Sequence, residues 1–268
     1  MSGFSADWLA LREPHDMRAR NEKLVAAVAA LLKPLPTVRI VDLACGTGST
    51  LRALRHHLPT RQNWRLVDND LGLLARAKSM TLAPDITTIV TPLDLNRDLE
   101  AALDGAVDLV VTSALLDLVS EAWLERLAVE IAARAIPLYA ALSYDGRVAI
   151  EPHDPKDSII VDAINRHQTT DKGFGASLGP AAAPTAAARF AQIGYTVTQG
   201  QSDWVIGPEH RDMQEAILAG WARAAGEIGL SGSETAAWLT RRREFIEAGV
   251  SSLRVGHVDL LAVPMAVR

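Results

Sequence analysis

One nine-residue stretch, Val41-Asp42-Leu43-Ala44-Cys45-Gly46-Thr47-Gly48-Ser49, limits what this 268-residue chain can fold into more than any other. The β-branched run Val38-Arg39-Ile40-Val41 leads into it with strand character. Behind it, Ser49-Thr50-Leu51-Arg52-Ala53-Leu54 reads as a helix start with a hydroxyl near the cap. Gly46 and Gly48 have no side chain, so the backbone between them can take positive φ and come close to a ligand. Strand, glycine turn and helix in that order make a ligand site at the carboxyl edge of a parallel sheet.

The following chain repeats the unit. Apolar patterning predicts strands at about 38–43, 64–68, 86–91, 107–112 and 136–142, with helices at about 49–57, 71–79, 97–103 and 120–134 between them. Asp70 and Ser120 stand where they would cap the second and fourth of these helices. Alternation of this kind forces parallel pairing through right-handed crossovers. The loops that begin near Ala44, Asp68, Leu93, Thr112 and Ser143 therefore gather on one edge. Ahead of the first strand, residues 5–35 read as two helical pieces interrupted at Pro14 and ended by Pro34 and Pro36.

Past residue 143 the rhythm breaks. Residues 144–183 are rich in polar and turn residues, and within them Ser158–Ile164 is expected as one or two helical turns. A helix at 185–192, an extended segment Tyr195–Ile206 and helices at 211–227 and 233–248 follow. The last helix has a capping box, Ser231-x-x-Glu234, and Gly249 at its end; a final strand is expected at about Leu253–Val263. The chain is read as a single α/β domain, 1–268. Residues 1–36 form an N-terminal helical cap, 37–206 and 250–268 the core, 144–183 an insertion on the substrate side, and 209–248 a helical insertion before the last strand. That last insertion is either a lid over the substrate side or a second helical layer.

A nicotinamide fingerprint would place a third glycine where Leu51 stands, and the chain has no Tyr-x-x-x-Lys pair, so a nicotinamide oxidoreductase is disfavoured. Asp42 stands four residues before Gly46. The second strand, Trp64-Arg65-Leu66-Val67, ends on Asp68, where a carboxylate can accept both hydroxyls of a ribose; Leu93-Asp94 follows the third strand. Over roughly residues 38–206 this pattern, D-x-x-x-G-x-G with an acid closing the second strand, resembles the class I S-adenosylmethionine-dependent methyltransferases of small-molecule type.

The resemblance implies a Rossmann-like, seven-stranded, mostly parallel doubly wound sheet whose antiparallel last strand, Gly256–Ala262, lies between two parallel ones. It implies S-adenosyl-L-methionine as cofactor. Ala44, Gly46 and Gly48 would meet its methionine portion and ribose, Asp42 its ammonium side, Asp68 and Asn69 the ribose, and Asp94 and Leu95 the adenine. Ser113 would stand between cofactor and acceptor. The expected activity is methyl transfer to an oxygen or nitrogen of a small polar metabolite. Two alternatives stay open, a macromolecule methyltransferase acting on RNA or protein and a non-catalytic cofactor-binding protein. Against the first stand the net charge of −5 and the reading Thr112-Ser113-Ala114-Leu115 where such enzymes carry Asn/Asp-Pro-Pro-Tyr/Phe.

Candidate acceptor-side residues come from three places. Asp117, after the fourth strand, either orients a nucleophile or caps a turn. The 150–175 block supplies His167 as a base with Asp171 to orient it, His153 as a second base, Lys172 as a cation and Phe174, between two glycines, as an aromatic contact. Arg12, His15, Arg18 and Arg20 cluster around the proline turn. They form either an anion pocket, with Arg12 and Arg18 binding substrate, or a solvated helical face. No ligand spacing for a metal is present. With Cys45 the single cysteine, no internal disulfide can form, and a cytoplasmic location is expected. Met1–Asp7 lacks the pattern of a secretory leader, and neither membrane nor nucleic acid is expected as a partner; the oligomeric state is open.

Overall fold

In the computed structural model, which describes residues 4–265, the chain opens with α1 (Ala6–Ala19) and α2 (Glu22–Leu32). It then alternates β1 (Val38–Leu43), α3 (Ser49–Leu54), β2 (Gln62–Asp68), α4 (Leu71–Lys78), β3 (Ile86–Pro92), α5 (Leu99–Ala102), β4 (Leu109–Ser113), α6 (Glu121–Ala133) and β5 (Leu138–Glu151). The remainder is α7 (Asp157–Gln168), α8 (Ala182–Gln192), β6 (Tyr195–Gln201), β7 (Trp204–Ile206), α9 (Arg211–Glu227), α10 (Gly232–Glu247) and β8 (Ser252–Pro264). Met1–Gly3 of the leader reading and residues 266–268 of the expected core lie outside the described residues.

The strands make one sheet in the order β3-β2-β1-β4-β5-β8-β6, with β7 also paired to β8. Strands β1 to β5 are mutually parallel, and β8 runs antiparallel to β5, β6 and β7. Strand order reverses between β1 and β4, which opens a crevice at the carboxyl ends of those two strands. β1 is central and buried at every residue but Arg39, as a near-continuous apolar run requires. One face of the sheet packs Val41, Val67 and Val110 under α5, α6 and α8; the other packs Ile40, Trp64 and Val111 under α2, α3 and α4. The sheet is thus doubly wound, with β8 between β5 and β6.

Several elements depart from the sequence reading, each for a reason outside its own window. α1 runs through Pro14, and the break falls at Arg20, whose extended ψ of 137° precedes Asn21, the cap of α2. β5 does not stop at residue 142. Two register shifts against β8, between Ala140 and Ser143 and between Tyr144 and Val148, bend it and let it continue to Glu151. The extended segment 195–206 divides into β6 and β7. α7 is twelve residues long, well beyond the one or two turns expected. The Ser231 side chain makes no cap bond and instead meets the Ser233 hydroxyl at 2.7 Å.

Residues 209–248 build a third core. α9 and α10 pack with α7 against the outer halves of β5, β7 and β8, around Trp238, Ile206 and Leu253. Among the described residues no helix is long and apolar enough to cross a membrane. One polar knot pins this unit: Asp157 accepts from Trp238 Nε1 at 2.9 Å, from the Asp154 amide at 2.8 Å and from Arg242 Nε at 3.0 Å, and Arg242 is wholly buried. Removing the carboxylate strands a buried guanidinium. Asp157→Ala is therefore expected to cost about 3–5 kcal/mol of folding stability. The double change Asp157→Ala with Arg242→Met should cost less than the single one. A lowered urea midpoint is the readout, and an unchanged midpoint for Asp157→Ala would contradict it.

Candidate active site

The cleft grows from the turn after β1. Ala44, Gly46 and Gly48 hold φ of 55°, 54° and 84°, all left-handed. At Gly48 the left-handed backbone angle favours glycine, and a Cβ there would stand 2.7 Å from Met80 Cε and displace that methyl group. A Cβ on Gly46 would come within 3.2 Å of Leu9 Cδ1, which shows how closely α1 lies across the turn. Ala114, at the end of β4, is also left-handed with φ of 51°. Two alanines in that region store about 1–2 kcal/mol of strain each, and both stand at the cleft.

Asp68 ends β2 with its carboxylate held by two backbone amides, Gly46 N–H to Oδ2 at 2.9 Å and Asp70 N–H to Oδ1 at 3.0 Å. Asp70 itself caps α4, accepting from the Gly72 and Leu73 amides. The two neighbouring aspartates therefore divide the work by position. On α3, Arg52 ties the turn to α1: its Nε lies 2.5 Å from Glu13 Oε1, and its Nη1 donates to the Thr47 carbonyl at 2.6 Å.

These elements enclose a cleft of about 480 Å³. Its floor is Ala44, Gly46, Asp68, Asn69 and Ser113 at the strand ends, and Leu93 and Leu95 after β3 close one side. Ala114, Leu115 and Leu118 line the other side, under Leu9, Arg12 and Asp16 of α1, with Phe174 reaching in from the turn after α7. Leu9, Asp16 and the clamp residue Arg52 were not anticipated; the signal available was the spacing of four between Arg12 and Asp16 on one helix face.

Of the residues singled out from sequence, Ala44, Gly46, Asp68, Asn69, Leu95, Ser113, Arg12 and Phe174 line this cleft. Gly48 shapes the turn behind it. Asp94 does not line it: its Oδ1 accepts the Asn96 amide at 3.0 Å, a local turn, while Leu93 and Leu95 on either side face the cleft. Asp117 is buried between the lining residues Leu115 and Leu118. Arg18 turns to His15, with Nη2 3.0 Å from Nδ1, and the His15 ring stacks edgewise on His210 at 4.6 Å. Burial and the Arg18 charge hold the His15 pKa below its ordinary value.

The expected base cluster is not at the cleft. His167 Nε2 stands 2.9 Å from Glu227 of α9 and its Nδ1 3.2 Å from Lys172 Nζ. Burial holds the Lys172 ammonium below its usual pKa. Asp171 accepts the Gly173 and Gly175 amides at 2.6 and 3.0 Å and so forms the turn that presents Phe174. His153 has a side chain 74% exposed, beside Asp157. The physical reason is the length of α7, which carries His167 to its far end and toward α9. Phe174 reaches the cleft because it packs edgewise on Trp123 at 5.5 Å and because Asn96 Nδ2 donates to the Gly173 carbonyl at 3.1 Å.

Two buried acids near the cleft carry unusual charge states. Asp42 is wholly buried with neither oxygen hydrogen-bonded, and burial pushes its pKa up to about 8, with the Arg20 cation opposing. Burial likewise raises Asp117 to about 6, and its Oδ1 has no partner. Burial raises the Cys45 thiol too, which removes it as a nucleophile. Among the described residues no three His, Cys, Asp or Glu side chains converge as metal ligands would.

Because folding raises the Asp42 pKa from 3.8 to about 8, the native state holds a proton that the unfolded chain releases, and stability falls as pH rises through that interval. Asp117 contributes in the same sense only up to about 6. Asp42→Asn, which keeps the shape without the ionisation, is expected to flatten the fall in melting temperature of the ligand-free protein between pH 6 and 8. Equal slopes for the two proteins over that interval would contradict the assignment.

Residues 40–137 match the family model described as a methyltransferase domain. No curated protein sequence matches the chain. Among solved structures it is similar to a cyclopropane-fatty-acyl-phospholipid synthase-like protein from Lactobacillus casei, at 16% identity and TM-score 0.55 over 97% of this chain and 94% of that one. It is also similar to the cyclopropane synthase MmaA2 from Mycobacterium tuberculosis, at 14% identity and TM-score 0.50, again over 97% and 94%. A third is the YcgJ protein from Bacillus subtilis, at 10% identity and TM-score 0.51 over 92% of this chain and 100% of that one. At these identities the likeness is one of fold.

Proposed function

This chain carries a class I S-adenosylmethionine-dependent methyltransferase domain, and we propose that it moves the methyl group to an oxygen or nitrogen of a small polar metabolite. The observation that supports the reading best is the Asp68 carboxylate, preset by two amides at the floor of the switch-point cleft. The residues present fit the cofactor. Gly46 and Gly48 leave the backbone open to close approach, Asp68 and Asn69 suit a ribose diol, Leu93 and Leu95 suit the faces of an adenine, and the unpartnered Asp42 suits an ammonium.

Bound S-adenosylmethionine supplies a methyl group on a cationic sulfur. The protein's part is to hold, align and exclude water. Leu9 of α1, Leu115, Leu118 and Phe174 give the cleft an apolar rim, and the Arg12–Asp16 pair, with Nε to Oδ2 at 2.9 Å, adds no net charge to it. A cleft of about 480 Å³ lies within the size range of small-molecule sites, which supports a metabolite as acceptor.

Calorimetry with S-adenosylhomocysteine tests the reading. Asp68→Ala is expected to weaken binding by about 1–3 kcal/mol, the cost of a buried hydrogen-bonding group lost, while the circular dichroism of the fold is kept. Wild-type affinity in that variant would remove Asp68 from the site, and no binding by the wild type would refute the cofactor assignment. With acceptor in hand, His167→Ala is expected to leave turnover unchanged, whereas a lost general base lowers it by about 10²–10⁴. A fall of that size would restore His167 as the base.

A further inference from the structure

Helix α1, which covers the cleft, is fastened to the rest of the protein at two levels. Near its middle, Trp8 meets the Trp204 ring of β7 edgewise at 6.3 Å, Arg12 lies over that ring at 4.9 Å, and Asp16 accepts from Trp204 Nε1 at 2.9 Å. One residue before Asp16, His15 makes the second fastening. Its ring is buried, stacks edgewise on His210 with centroids 4.6 Å apart and planes at 83°, and meets Arg18 Nη2 with its Nδ1 at 3.0 Å. His210 stands directly before α9, so the contact joins the cover of the cleft to the helical unit 209–248.

A guanidinium can only donate hydrogen bonds, so Arg18 requires a lone pair on His15 Nδ1, and the bond exists only while the imidazole is neutral. A proton on Nδ1 would set two cations at that distance. Arg18 is exposed and can turn into solvent, but the buried His15 ring gains water only by parting from His210. The charged and titratable groups around the ring are Arg18 and Asp16 on α1 and His210 and Glu209 in the turn before α9, with Glu209 Oε1 3.2 Å from His210 Nε2. Burial is the largest cause holding the imidazole neutral; Arg18 and His210 add to it, and the two carboxylates oppose it.

We propose that His15 is an acid-sensitive latch, whose protonation parts α1 from the start of α9 and loosens the cover of the cleft. An imidazole in the open state titrates at its ordinary value of 6.5, whereas the closed state keeps it neutral to lower pH. The open state therefore binds more protons, and its population rises as pH falls below 6.5. Because Leu9, Arg12 and Asp16 of the same helix line the cleft, the latch acts on the ligand site without touching a ligand. The insertion that supplies His210 gains a role by the same contact, since it lies outside the cleft and yet holds its cover. The consequence for the cofactor rests on the cleft being the S-adenosylmethionine site; the latch itself does not.

Hydrogen exchange of the α1 amides in the ligand-free protein, compared at about pH 7 and about pH 5.5 and corrected for the intrinsic pH dependence of exchange, tests the latch. The readout has to be local, because Asp42 moves global stability in the opposite direction over the same interval. An opened imidazole of ordinary pKa limits the loss of protection between the two conditions to about eightfold, and the wild type is expected to lose about threefold or more. His15→Gln, whose amide oxygen accepts from Arg18 at either pH, is expected to keep its α1 protection, with circular dichroism checking the fold. Arg18→Gln, in which His15 titrates without the neighbouring cation, is expected to lose less than the wild type. Unchanged protection in the wild type, the wild-type loss in His15→Gln, or an undiminished loss in Arg18→Gln would overturn the proposal. Calorimetry with S-adenosylhomocysteine is expected to show a larger loss of affinity toward acid pH in the wild type than in His15→Gln. Equal losses would overturn the link from latch to cleft, whereas no binding by either protein at either pH would refute the cofactor site and leave the exchange result to decide the latch.

Discussion

The hydrogen bond from the Gly46 amide to Asp68 Oδ2 joins the ends of two adjacent parallel strands, and the cleft takes its shape from it. The donor points as it does because Gly46 holds a left-handed φ of 54°; the acceptor is in reach because the β1–β2 register sets Leu43 opposite Val67 and so brings Asp68 level with the turn. The second oxygen takes the Asp70 amide, and Asp70 in turn caps α4. The carboxylate is thereby oriented by the backbone alone. A group oriented this way loses little entropy when a ligand arrives, which is the physical content of preorganisation.

What closes the cleft is the chain's first helix. Arg52 reaches from α3 to Glu13 on α1 and to the Thr47 carbonyl at once, so the glycine turn and its cover are one unit. Phe174 closes the opposite side, set by the Asp171 turn and by its edge contact with Trp123. The helical pair 209–248 contributes no residue to the cleft lining. Its apolar faces are spent on a core of their own with α7, held by the Asp157–Arg242 knot. The left-handed Ala44 and Ala114 stand at the two strand ends flanking the switch point, so two of the four left-handed non-glycine residues among those described lie at the cleft, Ala135 and Leu142 being the others.

Features written in short windows were legible from residues alone. The strand-glycine-helix unit, Asp68 at the end of β2, the Asp70 cap and the Ser120 cap, which accepts from Trp123 N–H at 3.3 Å, all depend on neighbours within a few positions. The continuation of β5 past residue 142 depends instead on β8, more than a hundred residues later, and no local pattern reports it. Pro14 marks a helix break by local rules, yet α1 passes through it, with the Arg12–Asp16 pair spanning that turn and the Arg52–Glu13 contact beside it. His167 carried the chemistry expected of a base but depended on where α7 ends. A polar-rich window of loop character concealed a twelve-residue helix, and with it the direction of that side chain.

The most direct measurement is a crystal structure of the protein grown with S-adenosylhomocysteine. The account predicts the nucleoside in the switch-point cleft with its ribose hydroxyls on Asp68 at hydrogen-bond distance, about 2.6–3.2 Å, and with α1 still clamped over it through Arg52 and Glu13. A nucleoside bound elsewhere, or in the cleft with Asp68 facing away from the ribose, would contradict it.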